Sequence, residues 1–335
     1  MESPAPSRSA APRLRLEHVP CPLCGKDAAR PYRPAMYRFE DVLFGLVRCT
    51  CGLVYVDPRP DGDSIGRMYD DPDYYRTGYT LGVETRGYFE RKDELVAHYE
   101  QVARDLARET GRTGDLLELG SAGGFFLEGA RRAGFRVRGV EISPQAAESS
   151  RRDLGLDVHS GLLENAPFEP RTFDVAYADN VLEHTTSPEG VLRKLLDLLR
   201  PGGHLVVIVP TYVNSPYFRL MLLLQRLLPK RFLGEPLLKI LKFVPDGDSG
   251  APYHLLEFDR RTVVALLRRA GFEIVHVQAS LPLPAHLFEV ASPGLRVRIL
   301  RGVFRALDFG MRAGILPGAR TRVLARRPAA ASRAA

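Results

Sequence analysis

From residue 115 onward, short apolar runs alternate with stretches whose apolar positions recur every three to four residues, which predicts strands separated by helices. The runs at 115–119, 136–141, 173–178 and 203–209 read as strands, with a weaker one near 156–159. Few polar residues interrupt them, the pattern of parallel strands covered on both faces. Helical spacing predicts helices at about 124–133, 144–154 and 188–199. The turn Arg200-Pro201-Gly202-Gly203 ends the last helix and opens the buried strand HLVVIVP. Beyond it come a helix at Arg261–Ala270, a strand at 272–279, a basic apolar helix at about 293–312 and a last strand, RTRVLAR. The expected architecture is α/β, with a mostly parallel sheet.

Upstream the pattern changes. Residues 1–15 are polar and read as a disordered lead-in, and 328–335 as a disordered tail. Residues 16–60 hold all four cysteines and end in the strand-like LVYVDPRP with its two breaking prolines. Residues 61–114 combine a Tyr-rich connector with a polar helical pattern, Phe89–Glu109, stopped by Gly111 and Gly114. The main domain is expected over 115–327, interrupted by an insertion at 211–258.

Composition narrows the function classes. The amino terminus lacks the apolar run of a secretory signal, and no stretch approaches eighteen uninterrupted apolar residues. A cytoplasmic location is therefore expected. The net charge of +7 is concentrated after Pro293, where ten Arg face one Asp, so the rest of the chain is nearly neutral. That distribution disfavours a nucleic-acid partner.

The stretch LLELGSAGGFF carries a strand, a Gly-rich turn and an immediate helix, so the backbone can approach a ligand at the strand's carboxyl end. Glu141 ends the next strand 21 residues after Gly120, the spacing at which a carboxylate takes ribose hydroxyls. Glu118 stands two residues before Gly120, where its charge would repel a pyrophosphate but attract an ammonium. That asymmetry favours S-adenosylmethionine (SAM) over a dinucleotide.

ELGSAGG, VEIS, FDVAYADNVLEH and LRPGGHLVVIVP, in this order, resemble the motifs of class I SAM-dependent methyltransferases. The resemblance implies a Rossmann-like, seven-stranded sheet with its last strand antiparallel. By it, Glu118 and Gly120 hold the methionine end, Glu141 the ribose, Leu163 the adenine through its backbone, and Asn180 the amino-acid end. Ser121, Ala122, Gly124 and Ile142 complete the implied cofactor set. The family usually has Asp where Leu162 stands.

Cys21-Pro-Leu-Cys24 and Cys49-Thr-Cys51 form two short loops separated by 24 residues, each followed by Gly, as in the knuckles of a zinc ribbon. With four thiols and no spare ligand, a structural zinc is expected. LVRCTCGLVYVDPRP followed by YDDPDYY resembles the cysteine-rich segment preceding a subgroup of these methyltransferases that includes sugar and natural-product enzymes. The implied acceptor is a small molecule of that kind, methylated at O or C.

A base should lie near the carboxyl ends of the fourth and fifth strands, and His184, His254 and Glu257 are the candidates. Asp259 and Thr262 read as a helix cap. Within the insertion, residues 217–243 are basic and amphipathic. They suit a lid over the cleft, or a peripheral membrane contact near a lipid- or quinone-like acceptor.

Overall fold

In the computed structural model, which describes residues 14–39, 41–69, 88–212, 254–280, 295–316 and 318–329, the cysteine-bearing segment is mostly strand. It contains β1 (Leu16–Glu17), β2 (Ala29–Phe39), β3 (Val42–Cys49), β4 (Val54–Val56) and β5 (Arg59–Pro60). The β2–β3 hairpin was not legible as such, because its apolar positions do not alternate cleanly and its register shifts twice. Tyr74, Tyr75, residues 217–243 and most of the 211–258 insertion lie outside the described residues, as do most of the lead-in and tail.

After α1 (Gly62–Tyr69) and α2 (Lys92–Thr110) the alternating pattern unfolds as expected. β6 (Asp115–Leu119), α3 (Phe125–Arg132), β7 (Arg136–Glu141), α4 (Pro144–Leu154), β8 (Val158–Ser160) and β9 (Phe173–Asp179) come first. α5 (Pro188–Leu198), β10 (Leu199–Pro210), β11 (Leu256–Glu257), α6 (Arg260–Arg269), β12 (Glu273–Ser280), α7 (Leu295–Arg312) and β13 (Arg320–Arg326) follow. β10 starts earlier than the sequence suggests: Leu199 pairs with Phe173, the Pro-Gly turn bulges out, and pairing resumes at His204.

The large sheet has seven strands in the order β12-β13-β10-β9-β6-β7-β8. β13 runs antiparallel to β10 and β12, and the other neighbours are parallel. Chain order reverses between β6 and β9, so a crevice opens outside their carboxyl ends.

Both faces are covered, and the strands alternate between two cores. Leu117, Leu119, Ala176, Ala178 and Val207 pack with Leu192, Leu195, Leu266 and Leu267. On the opposite face Leu116, Val175, Tyr177 and Val206 meet Leu106, Phe126, Leu127 and Ala147. Two-residue periodicity thus buries both sets of positions in the central strands β6, β9 and β10, each large aliphatic contributing about 1.5–3 kcal/mol.

Cys21, Cys49, Leu53 and Tyr55 belong to the first of these cores, so the cysteine segment is packed into the domain it precedes. The continuity extends to hydrogen bonding. β11, from the far end of the insertion, is the outer strand of the sheet β11-β4-β3-β2. A strand therefore crosses the boundary that composition suggests between residues 16–60 and the main domain.

Candidate active site

The turn after β6 is built for close approach. Gly120 has a φ of +74°, and a Cβ there would lie 2.5 Å from the Val181 side chain in the loop after β9. Ala122 keeps a left-handed φ of +45°. That conformation costs an alanine about 1 kcal/mol or more. The compensation is Glu141, whose carboxylate accepts from the Ala122 amide at 2.7 Å and from the Ser143 amide at 2.9 Å. Glu141 is itself buried beside this turn. Ser143 in turn caps α4.

Glu118 is 6% exposed, and its Oε2 has no hydrogen-bond partner. Burial, with the nearby charges of Asp179 and Glu141, holds its carboxyl well above the usual range; the Leu127 amide opposes this only in part. Asp179 was not singled out in the sequence. It ends β9, accepts from the Asn180 amide group at 3.0 Å and forms an ion pair with Arg320 at the start of β13. Asn180 also has a left-handed φ, +53°. Ile142 and Leu162 are exposed on adjacent loops joined by the Gly161 amide and the Glu141 carbonyl at 2.8 Å, while Leu163 is buried. Ser121 and Gly124 close the turn through a 2.8 Å backbone bond. Tyr88 stacks on Phe125 at 4.7 Å beside it.

A second cluster forms where a short 3-10 turn, Leu182–His184, follows β9. The His184 and His254 rings meet edge to face with centroids 4.9 Å apart. Nδ1 of His254 lies 3.6 Å from Oε1 of Glu257, and the Tyr37 hydroxyl donates to that same oxygen. His184, His254 and Glu257 are thus brought together with Glu183 and Tyr37, neither of which the sequence singled out. Glu183 is fully buried and its carboxyl is pushed up to about 7, chiefly by burial and against the pull of His254. Its presence in NVLEH was the available signal; nothing local pointed to Tyr37. Asp259 and Thr262 form the capping box of α6, at 2.8 and 2.9 Å.

The four cysteines also converge, with all Sγ atoms within 4.8 Å of one another. Sγ of Cys21 and Cys51 are 3.6 Å apart, and those of Cys24 and Cys49 are 3.5 Å apart. A tetrahedral zinc with bonds of about 2.3 Å sets its sulfurs roughly 3.8 Å apart, so the one-residue second loop does not prevent a fit. Gly25 and Gly52 turn with φ of +72° and +101°. Burial works against ionisation of Cys49, but the Cys51 amide and the neighbouring thiols bring it down to about 7.

Comparison with known proteins places this geometry in a class. Residues 90–277, more than half of the chain, match the family model described as a methyltransferase domain. The chain belongs to that family, and its domain is of the class I, SAM-dependent type. Among curated relatives, a mitochondrial ubiquinone biosynthesis O-methyltransferase of Schizosaccharomyces pombe is 36% identical over 99 residues, 28% of this chain and 36% of the relative. The Cupriavidus pinatubonensis ubiquinone biosynthesis O-methyltransferase is 33% identical over 101 residues, 28% of this chain and 39% of that protein. The chain thus spans under two-fifths of the length of these two relatives. Among solved structures, a SAM-dependent methyltransferase of Mesorhizobium loti is similar at 18% identity and a TM-score of 0.43, covering 68% of this chain and 100% of that one. Phosphoethanolamine N-methyltransferase 2 of Haemonchus contortus, in complex with SAM, is 14% identical at a TM-score of 0.47, covering 82% of this chain and 63% of that one. No described helix is long and apolar enough to cross a membrane.

Proposed function

We propose that the chain transfers a methyl group from SAM to a hydroxyl of a small organic acceptor, of the saccharide or natural-product kind. The observation that carries this reading is the pair of clusters that follow the carboxyl ends of β6, β7 and β9. Glu118, Glu141 and Asp179 surround the glycine turn, and Glu183, His184, His254 and Glu257 lie just past β9.

SAM carries positive charge at its sulfonium and its ammonium, so three acids in a partly dry cleft favour it electrostatically. Glu118 pairs with the ammonium, and Glu141 accepts from the ribose hydroxyls. Gly120, Ser121, Ala122 and Gly124 shape the turn, and Asn180 meets the amino-acid end. The Leu163 backbone meets the adenine, whose faces lie against Ile142 and Leu162, both exposed. Apolar contact at Leu162 replaces the carboxylate common at that position in the family.

Transfer is an in-line displacement, so alignment supplies most of the rate. His184 and His254 stand to take the acceptor's proton, with Glu257 and Tyr37 orienting His254. Cys21, Cys24, Cys49 and Cys51 would hold a structural zinc, which shapes the module and leaves no open position for chemistry.

A phenol of the quinone-precursor kind is the second acceptor class, because the matched relatives are ubiquinone biosynthesis O-methyltransferases. Calorimetry with SAM, then turnover against panels of sugar nucleotides and polyphenols, tests both. Absence of SAM binding at millimolar concentration overturns the reading. His184→Ala should abolish most turnover with SAM binding intact, and an unaltered rate would remove His184 from the chemistry.

A further inference from the structure

Glu183 is fully buried, and neither of its carboxylate oxygens has a hydrogen-bond partner. Leaving such a group unmatched costs several kcal/mol, so native structures pair it with a proton, a donor or a cation. Two imidazoles flank it. One ligand atom from each of Glu183, His184 and His254 lies within 4.8 Å of the others. A cation with bonds of about 2.1 Å holds its own ligands roughly 3–4 Å apart, so small side-chain adjustments would close the three on one ion. His254 turns Nδ1 toward Glu257, at 3.6 Å, and Tyr37 donates to that carboxylate. Drawn in to hydrogen-bond distance, an outer carboxylate so placed would fix the tautomer of a ligating imidazole and leave the other ring nitrogen for the metal.

We infer that Glu183, His184 and His254 bind a divalent cation of the zinc class, with an open position for the acceptor oxygen. Two imidazoles and one carboxylate are the donor set of catalytic zinc; magnesium and calcium prefer oxygen ligands throughout. The site is separate from the closed four-thiol cluster. Its role rests on the methyl-transfer reading and deepens it by making the acceptor a hydroxyl that ligates metal. The bound cation lowers the hydroxyl's pKa, and the proton passes to water. The resulting oxygen anion bonds to the methyl carbon as the carbon–sulfur bond breaks, and the electron pair stays on sulfur as a neutral thioether. His184 then serves as a ligand, with the cation doing the work otherwise asked of a base.

The test is metal stoichiometry on the full chain, stripped with chelator under reducing conditions and reloaded with Zn2+ or Co2+. The wild type should hold one ion more than Glu183→Gln or His254→Gln. Its cobalt form should show d–d absorption beyond that of a thiolate site, lost in both variants. Equal ion counts and identical cobalt spectra in wild type and folded variants overturn the inference. A wild type holding one ion with a purely thiolate spectrum overturns it without any variant. SAM calorimetry on the same samples separates the two readings. Bound SAM with no extra ion sinks only the metal site, and an extra ion without SAM binding sinks only methyl transfer.

Discussion

The amide of Leu255 donates to the carbonyl of Glu183 at 2.8 Å, and the carbonyl of Leu255 accepts from the Val56 amide at 3.0 Å. One residue thus links the strand that follows the second cysteine pair to the turn bearing Glu183 and His184. Glu257 is held on the same strand, since Leu256 and Glu257 pair with Tyr55 and Val54.

From this link, damage to the thiol cluster should appear as lost turnover before it appears as lost cofactor binding. Cys49→Ser is expected to lower turnover by about a hundredfold, the cost of misplacing reacting groups by about 1 Å. SAM affinity should change little, because the glycine turn lies on the β6 side of the sheet. Parallel rate assays and calorimetry check this, and an equal loss of both would break the argument.

Glu141 braces the strained Ala122 turn besides facing the cleft. Glu141→Ala removes two charge-assisted bonds and should weaken SAM binding by about ten- to a hundredfold, with a lowered melting temperature. Calorimetry and a thermal melt measure the two effects separately.

A third expectation concerns pH. Glu118 has its folded pKa raised, so the folded chain holds this proton more tightly than the unfolded one. Its contribution to stability therefore falls as pH rises from the unfolded value, about 4.3, toward the folded one. Glu118→Gln should stabilise the SAM-free protein near pH 7 and change little near pH 4, as read by urea denaturation. Pairing with the SAM ammonium reverses the shift, so binding should release a proton. Affinity should then rise by up to about tenfold per pH unit below the SAM-free pKa, a dependence the variant lacks.

Tyr37→Phe would leave the buried Glu257 oxygen without its hydroxyl donor. The expected cost is about 1–3 kcal/mol of stability, together with a fall in kcat larger than any change in KM. Urea titration and steady-state kinetics test this, and a neutral variant would show that Tyr37 does not orient the cluster.

Much of this was legible in the chain. The strands around β6, β7, β9 and β10 announce themselves because burial on both faces demands unbroken apolar runs, and Asp259 marks a helix start by local chemistry. The placement of Glu118 and Glu141 beside the glycine turn was readable because it depends on spacing within one βαβ unit. Arg320 and Tyr37 were not, since their partners Asp179 and Glu257 lie 141 and 220 residues away. β11 is two residues long and pairs across the whole domain, and no local pattern encodes such a strand.

Under the proposed function, that short strand bears on how acceptor preference would be engineered. The loop carrying His254 and Glu257 is anchored on the amino-terminal sheet, whereas the cofactor turn is anchored on the central one. Exchanging the loop alone between related enzymes would set it on a foreign edge and misalign both side chains. A functional chimera must carry residues 14–60 and 254–257 as one unit, although nearly two hundred residues of chain separate them.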